Sequence, residues 1–122
     1  MQMNESSENY LETILILSHR LPAVRAIDIA TELAFKKSSV SVAMKHLREN
    51  GYITVNDAGS IQLTPEGRQI AEMIYERHTL LTGWLESLGV DKKTADTDAC
   101  RIEHMISKES FEAIKKFLSG LH

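Results

Sequence analysis

Residues 36–63 read KKSSVSVAMKHLRENGYITVNDAGSIQL, and the way this stretch divides decides the fold. Val40, Met44 and Leu47 fall on one side of a helix, because steps of three and four residues return to the same face, and Gly51 supplies a stop. A helix over SSVSVAMKHLREN, residues 38–50, is therefore predicted. YITV (52–55) and SIQL (60–63) are rich in residues suited to a pleated surface, and NDAG between them is turn-forming, so a two-stranded hairpin is predicted.

Upstream, AIDIATELA (26–34) presents Ile27, Ile29, Ala30 and Leu33 as a short amphipathic helix beginning after the helix-breaking Pro22. FKK (35–37) is the brief connection to the next helix. Two short helices joined by such a turn are the arrangement of a helix-turn-helix, with the later helix as recognition helix and the hairpin behind it as a wing. The first segment, ESSENYLETILILS (5–18), repeats Tyr10, Leu11, Ile14, Leu15 and Leu17 at helical spacing, with Ser6 or Ser7 placed to cap it.

Downstream, TPEGRQIAEMIYERHTLLTGWLESLG (64–89) opens with Thr64 as N-cap and Pro65 as first helical residue, and stops at Gly89. VDKKTADTDACRIEHMI and KESFEAIKKFLSGLH give two more helices, the second amphipathic through Phe111, Ile114, Phe117 and Leu118. That spare apolar surface, with Trp84 and Leu85, points to a homodimer interface. The expected fold is mainly α: a winged helix-turn-helix domain over residues 1–70, then a helical dimerisation region over 71–122.

Length and composition agree with one or two packed modules: 122 residues, 43% hydrophobic and 25% charged. No run of about 18 apolar residues is present, and MQMNESSENY lacks the basic start and apolar stretch of a signal peptide. A cytoplasmic protein without membrane association is expected. The net charge of −3 argues against indiscriminate coating of nucleic acid, yet residues 19–68 carry seven Lys/Arg against five acids, and the acidity lies in the flanks. If the helix at 38–50 enters a major groove, Ser38, Ser39, Ser41 and Val42 meet base edges. Lys36, Lys37 and Lys45 then reach phosphates, with Asn56 and Ser60 near the wing tip. The alternative is a capped helix with a solvated basic face. Few cations per subunit favour a dimer on a palindromic double-stranded DNA operator, its half-sites roughly 34 Å apart.

DACRIEHM (98–105) holds the single cysteine. Helical spacing puts Cys100, Glu103 and His104 on one face, while Ala99, Ile102, Met105 and Ile106 are expected on a separate apolar stripe. Thiolate, carboxylate and imidazole together suit divalent transition metals rather than calcium or magnesium. The same residues also read as a small core cysteine beside a surface Glu–His pair, or as a redox-sensing thiol in a metal-independent regulator or protein-interaction module. Three donors on one helix rarely complete a site; Glu12 and Asn9, three apart on the first helix, and His78 on the long helix are the further candidates. No HExxH, nucleophile elbow or phosphate-binding glycine loop marks an enzyme.

ENYLETILIL, KKSSVSVAMKHLRENGYI, LTPEGRQIAEMIYERHTLL and DACRIEHMIS, in this order across nearly the whole chain, resemble the metal-dependent repressors of the diphtheria toxin repressor and manganese transport regulator family. The resemblance implies a metal-loaded dimer that binds DNA and regulates metal-uptake genes. The chain ends where longer relatives add an SH3-like domain, as in the short, manganese-responding branch. It further implies metal ligands at Glu12, His78, Glu103 and His104. Cys100 departs from that branch, where a glutamate is usual, and resembles the iron-responding branch. Asn9 departs from both, offering a neutral carbonyl oxygen in place of an aspartate or a methionine, and Thr82 lacks the carboxylate of the iron branch's second site. The hybrid donor set implies iron(II) first and manganese(II) second, with zinc(II), cobalt(II) or nickel(II) able to bind in vitro.

Overall fold

The computed structural model describes residues 4–120 and divides into two compact units, one ending at Met73 and the other beginning at Ile74. In the first, α1 (Glu5–Ser18) buries Tyr10, Leu11, Ile14, Leu15 and Leu17, the residues whose spacing predicted it. Its cap is Asn4, whose side chain accepts the Ser7 amide at 2.8 Å. This corrects the expectation of Ser6 or Ser7, which lie inside the first turn, too late to reach the amides that need a partner.

Helix α2 (Ala26–Leu33) starts with the Arg25 amide donating to the Asp28 carboxylate at 2.8 Å and ends on Ala34 in the left-handed region, φ 56°. Three residues later α3 (Lys37–Glu49) begins, one residue earlier than its hydrophobic pattern suggested, so Lys37 is helical and Lys36 occupies the cap position. Val40, Met44 and Leu47 are its buried line. Behind it, β1 (Ile53–Val55) pairs antiparallel with β2 (Ile61–Leu63) in the register Ile53↔Leu63, Thr54↔Gln62, Val55↔Ile61. Ile61 also donates its amide to the Val24 carbonyl at 2.7 Å, which ties the wing to the α1–α2 connection. The core of this unit joins α1, α2, α3 and the hairpin around Leu11, Ile14, Ile29, Val40, Leu47 and Ile53.

Thr64 fixes the start of α4 (Pro65–Ser87) as expected, accepting the Gly67 amide at 3.1 Å. Its hydroxyl donates to the Gly51 carbonyl at 2.7 Å, so one side chain joins the helix start to the end of the recognition helix. A methyl group on Gly67 would overlap the Tyr52 carbonyl oxygen, a backbone atom that cannot swing aside. Gly67→Ala is therefore expected to destabilise the protein by about 2 kcal/mol, the scale of an overpacked site. A thermal unfolding midpoint equal to wild type would contradict this close approach.

The second unit contains the rest of α4, then α5 (Lys92–Met105) and α6 (Lys108–Ser119). Asp91 caps α5 through the Thr94 amide at 3.1 Å, and Ser107 caps α6 through the Ser110 amide at 3.1 Å. Ile74, Arg77 and Leu81 of α4 are buried, as are Ala95, Ala99 and Glu103 of α5 and Phe111 of α6. On α6, Phe117 stands 66% exposed, an apolar group left on the surface of the unit. Among the described residues, no helix is long and apolar enough to cross a membrane.

Candidate metal centre and nucleic-acid interface

Helix α5 turns one face inward at four-residue steps, Ala95, Ala99 and Glu103. The two alanines are fully buried, and Glu103 follows them to complete burial. The expected apolar stripe is thereby corrected: Met105 is 79% exposed, Ile102 and Ile106 are half-buried, and the carboxylate occupies the inward line with Ala99. Apolarity alone cannot locate that line, because Glu103 is drawn inward by polar partners.

Those partners are imidazoles. Oε2 of Glu103 lies 2.8 Å from Nδ1 of His78, and the other nitrogen of that ring lies 2.8 Å from Oδ1 of Asp96. The ring thus bridges two carboxyl groups of α5, one at each nitrogen. On its other side, Oε1 of Glu103 stands 3.3 Å from Nε2 of His104, an ion-pair distance, yet this buried oxygen accepts no hydrogen bond. Burial pushes the Glu103 carboxyl up; the facing imidazoles of His104 and His78 pull it down further, leaving it below the ordinary value of 4.5.

A buried anionic oxygen without a hydrogen bond is costly by itself and suits a cation. The donor atoms of Cys100, Glu103 and His104 lie within 4.8 Å of one another. Two donors of one ion, each bonded at about 2.0–2.3 Å, stand at most about 4.6 Å apart, so small side-chain adjustments bring this trio onto one ion. The residues present fit a divalent transition metal.

Two residues absent from the sequence-based ligand set help to build the centre. Asp96 holds the far side of His78, and its place one turn before Cys100 on α5 was a legible signal. Arg77 is buried, and its Nη1 donates to the carbonyls of Glu103 and Ile106 at 3.0 Å each, closing the last turn of α5. The same guanidinium sits 5.5 Å from the centre of the Phe111 ring. In the first unit, Glu12 is buried on α1 and Asn9, three residues earlier, is half-buried, with its carbonyl accepting from Thr13 Oγ1 at 2.8 Å.

The first unit presents the expected interface residues. Lys36, Lys37, Ser38, Ser39, Ser41, Val42, Lys45 and Asn56 are exposed, and Ser60 is half-buried. Asn56 also shapes the wing turn, because its Oδ1 accepts the amides of Ala58 and Ser60 at 3.0 and 2.9 Å. Arg25, outside the expected set, donates from Nε to the Ala58 carbonyl at 3.2 Å and so places another cation at the wing. Arg48 likewise lines a groove with Lys45 and Ser41 between α3 and the hairpin.

Residues 2–60 match the family profile described as the iron dependent repressor N-terminal DNA binding domain. Residues 64–122 match the iron dependent repressor metal binding and dimerisation domain. The chain belongs to the diphtheria toxin repressor and manganese transport regulator family. Its members are regulators of transcription, not enzymes. An uncharacterised HTH-type transcriptional regulator of Methanocaldococcus jannaschii is 35% identical over 118 residues, covering 95% of this chain and 94% of the relative. The transcriptional regulator MntR of Salmonella typhimurium is 32% identical over 113 residues, covering 93% of this chain and 72% of MntR. Among solved structures, the manganese regulator SloR superposes with a TM-score of 0.82 at 27% identity, covering 98% of this chain. The chain spans about half of SloR, 55% of its length.

Proposed function

We propose that this family member is a cytoplasmic, metal-dependent transcriptional repressor of metal-uptake or homeostasis genes, binding a palindromic operator as a homodimer. The observation that carries the reading is Glu103, fully buried with one oxygen lacking a hydrogen bond and with Cys100 and His104 donors beside it. His78, Cys100, Glu103 and His104 are the ligands we assign, and the resemblance adds Glu12 and Asn9 of α1. The winged module is assigned to DNA through Lys36, Lys37, Lys45, the α3 serines, Val42, Asn56 and Ser60.

A bound iron(II) or manganese(II) ion supplies positive charge that neutralises the Glu103 carboxylate and the Cys100 thiolate together. His78 would offer one ring nitrogen to the ion, with Asp96 orienting the ring from the other. Metal and operator then raise one another's affinity by a single coupling factor.

The test is operator binding by the full chain under anaerobic conditions, with iron(II), manganese(II) or zinc(II) supplied separately and with a chelator. Metal is expected to tighten binding at least about fivefold, the lower end of ordinary coupling. Cys100→Glu, which exchanges a soft donor for a hard one, is expected to move the preference from iron(II) towards manganese(II). Chelator-insensitive affinity together with a silent Cys100→Glu would remove the metal switch. Glu12→Gln separately reports on the α1 ligand, with weaker metal binding expected and unchanged affinity excluding it.

A further inference from the structure

We propose that Val42 reads the 5-methyl group of one thymine in each operator half-site and is the main specificity-determining side chain of the recognition helix. This rests on the DNA-binding reading above and names the chemistry it recognises. Val42 lies two residues from both Val40 and Met44, the buried line of α3, and at about 100° per residue that places it on the opposite crest. It is 58% exposed, a branched aliphatic side chain at an open groove shared with Ser6, Ser7 and Tyr10 of α1.

Its surroundings say what covers it. Ser38, Ser39 and Lys45, one turn to either side, are exposed, and α3 carries Lys37 and Lys45 but no acid before Glu49. That face is cationic and polar, complementary to a polyanion rather than to an apolar protein surface. In the first two turns of α3 no exposed side chain is Arg, Asn or Gln, which pair with bases through two hydrogen bonds, and the single lysine there, Lys37, stands at the helix start, where it is assigned to a phosphate. The serines, each able to donate or accept, discriminate weakly among base edges. Val42 is left as the group with a chemical preference, and the apolar feature on a major-groove edge is the thymine methyl.

The experiment selects a duplex with the metal-loaded full chain, then replaces its thymines one at a time with deoxyuridine, which removes only the methyl. Dissociation constants are measured for wild type and Val42→Ala, a change at an exposed helical position where alanine is well tolerated. One replacement per half-site is expected to weaken wild-type binding about fourfold, and about fifteenfold when made in both half-sites, the scale of one buried methyl each. Val42→Ala should respond to the same replacement by less than about twofold. Indifference of wild type at every thymine, or an equal loss in Val42→Ala, overturns the assignment to Val42 while metal-dependent binding stands. Failure to select any duplex overturns the DNA reading, and this inference with it.

Discussion

Glu103→Gln protein is expected to bind its activating metal more than about 100-fold more weakly than wild type, and its operator affinity should no longer respond to metal. Groups that only orient metal ligands are each worth about 10- to 100-fold in affinity. Glu103 is assigned as a ligand itself, and the substitution removes its negative charge as well as its donor strength. The exchange preserves shape but removes the ionised form that folding favours, so the stability of the variant is measured alongside its metal affinity. Direct metal titration gives the affinity, and unfolding without metal gives the control. Retention of wild-type affinity would show that Glu103 is not a ligand.

The same carboxylate makes metal-free stability depend on acid. Its folded pKa lies below the ordinary 4.5, so folding favours the ionised form. That contribution is complete above the ordinary value and disappears as pH falls through the lower folded value. Metal-free wild type should therefore lose stability more steeply than Glu103→Gln on acidification below about pH 4.5. Parallel curves from denaturant unfolding would mean that Glu103 contributes none of this dependence.

Repetition at three and four residues made the helices legible in the sequence, and the β-rich pair around NDAG made the wing legible. Both signals are local: Val40, Met44 and Leu47 share a face whatever else the chain does. Caps are less so, since Asn4, Ser6 and Ser7 all suit the role and only the position of the first turn selects Asn4. The inward turn of Glu103 was not legible, because it depends on His78, twenty-five residues away in sequence. An apolar count over 99–106 assigns Met105 inward and the carboxylate outward, the reverse of what the helix adopts. Family resemblance supplied His78 and Glu103 as ligands without their pairing. Arg77 escaped for a related reason: it acts on Glu103 through a tertiary contact that helix periodicity does not encode, whereas Asp96 shares the face of Cys100 and was overlooked.

Arg77 carries the second large effect. Replacement by methionine keeps much of the aliphatic volume but removes the guanidinium that donates to the carbonyls of Glu103 and Ile106. Bonds from a charged group are worth about 1.5–3 kcal/mol each, and the contact with Phe111 adds about 0.5–1 kcal/mol. Against these stands Arg77 Nε, buried without a hydrogen-bond partner, whose removal returns about 1–3 kcal/mol. The net expectation for Arg77→Met is a loss of about 3 kcal/mol, read by denaturant unfolding of the metal-free protein. Because the lost bonds anchor the turn that ends just beyond His104, metal affinity should also fall, by about 10-fold. Arg77→Lys keeps the charge but not the fork and should recover part of the stability. Unchanged metal affinity in Arg77→Met, with the stability loss present, would make the residue a structural anchor only; a loss in both ties the closure of α5 to the geometry of its ligands.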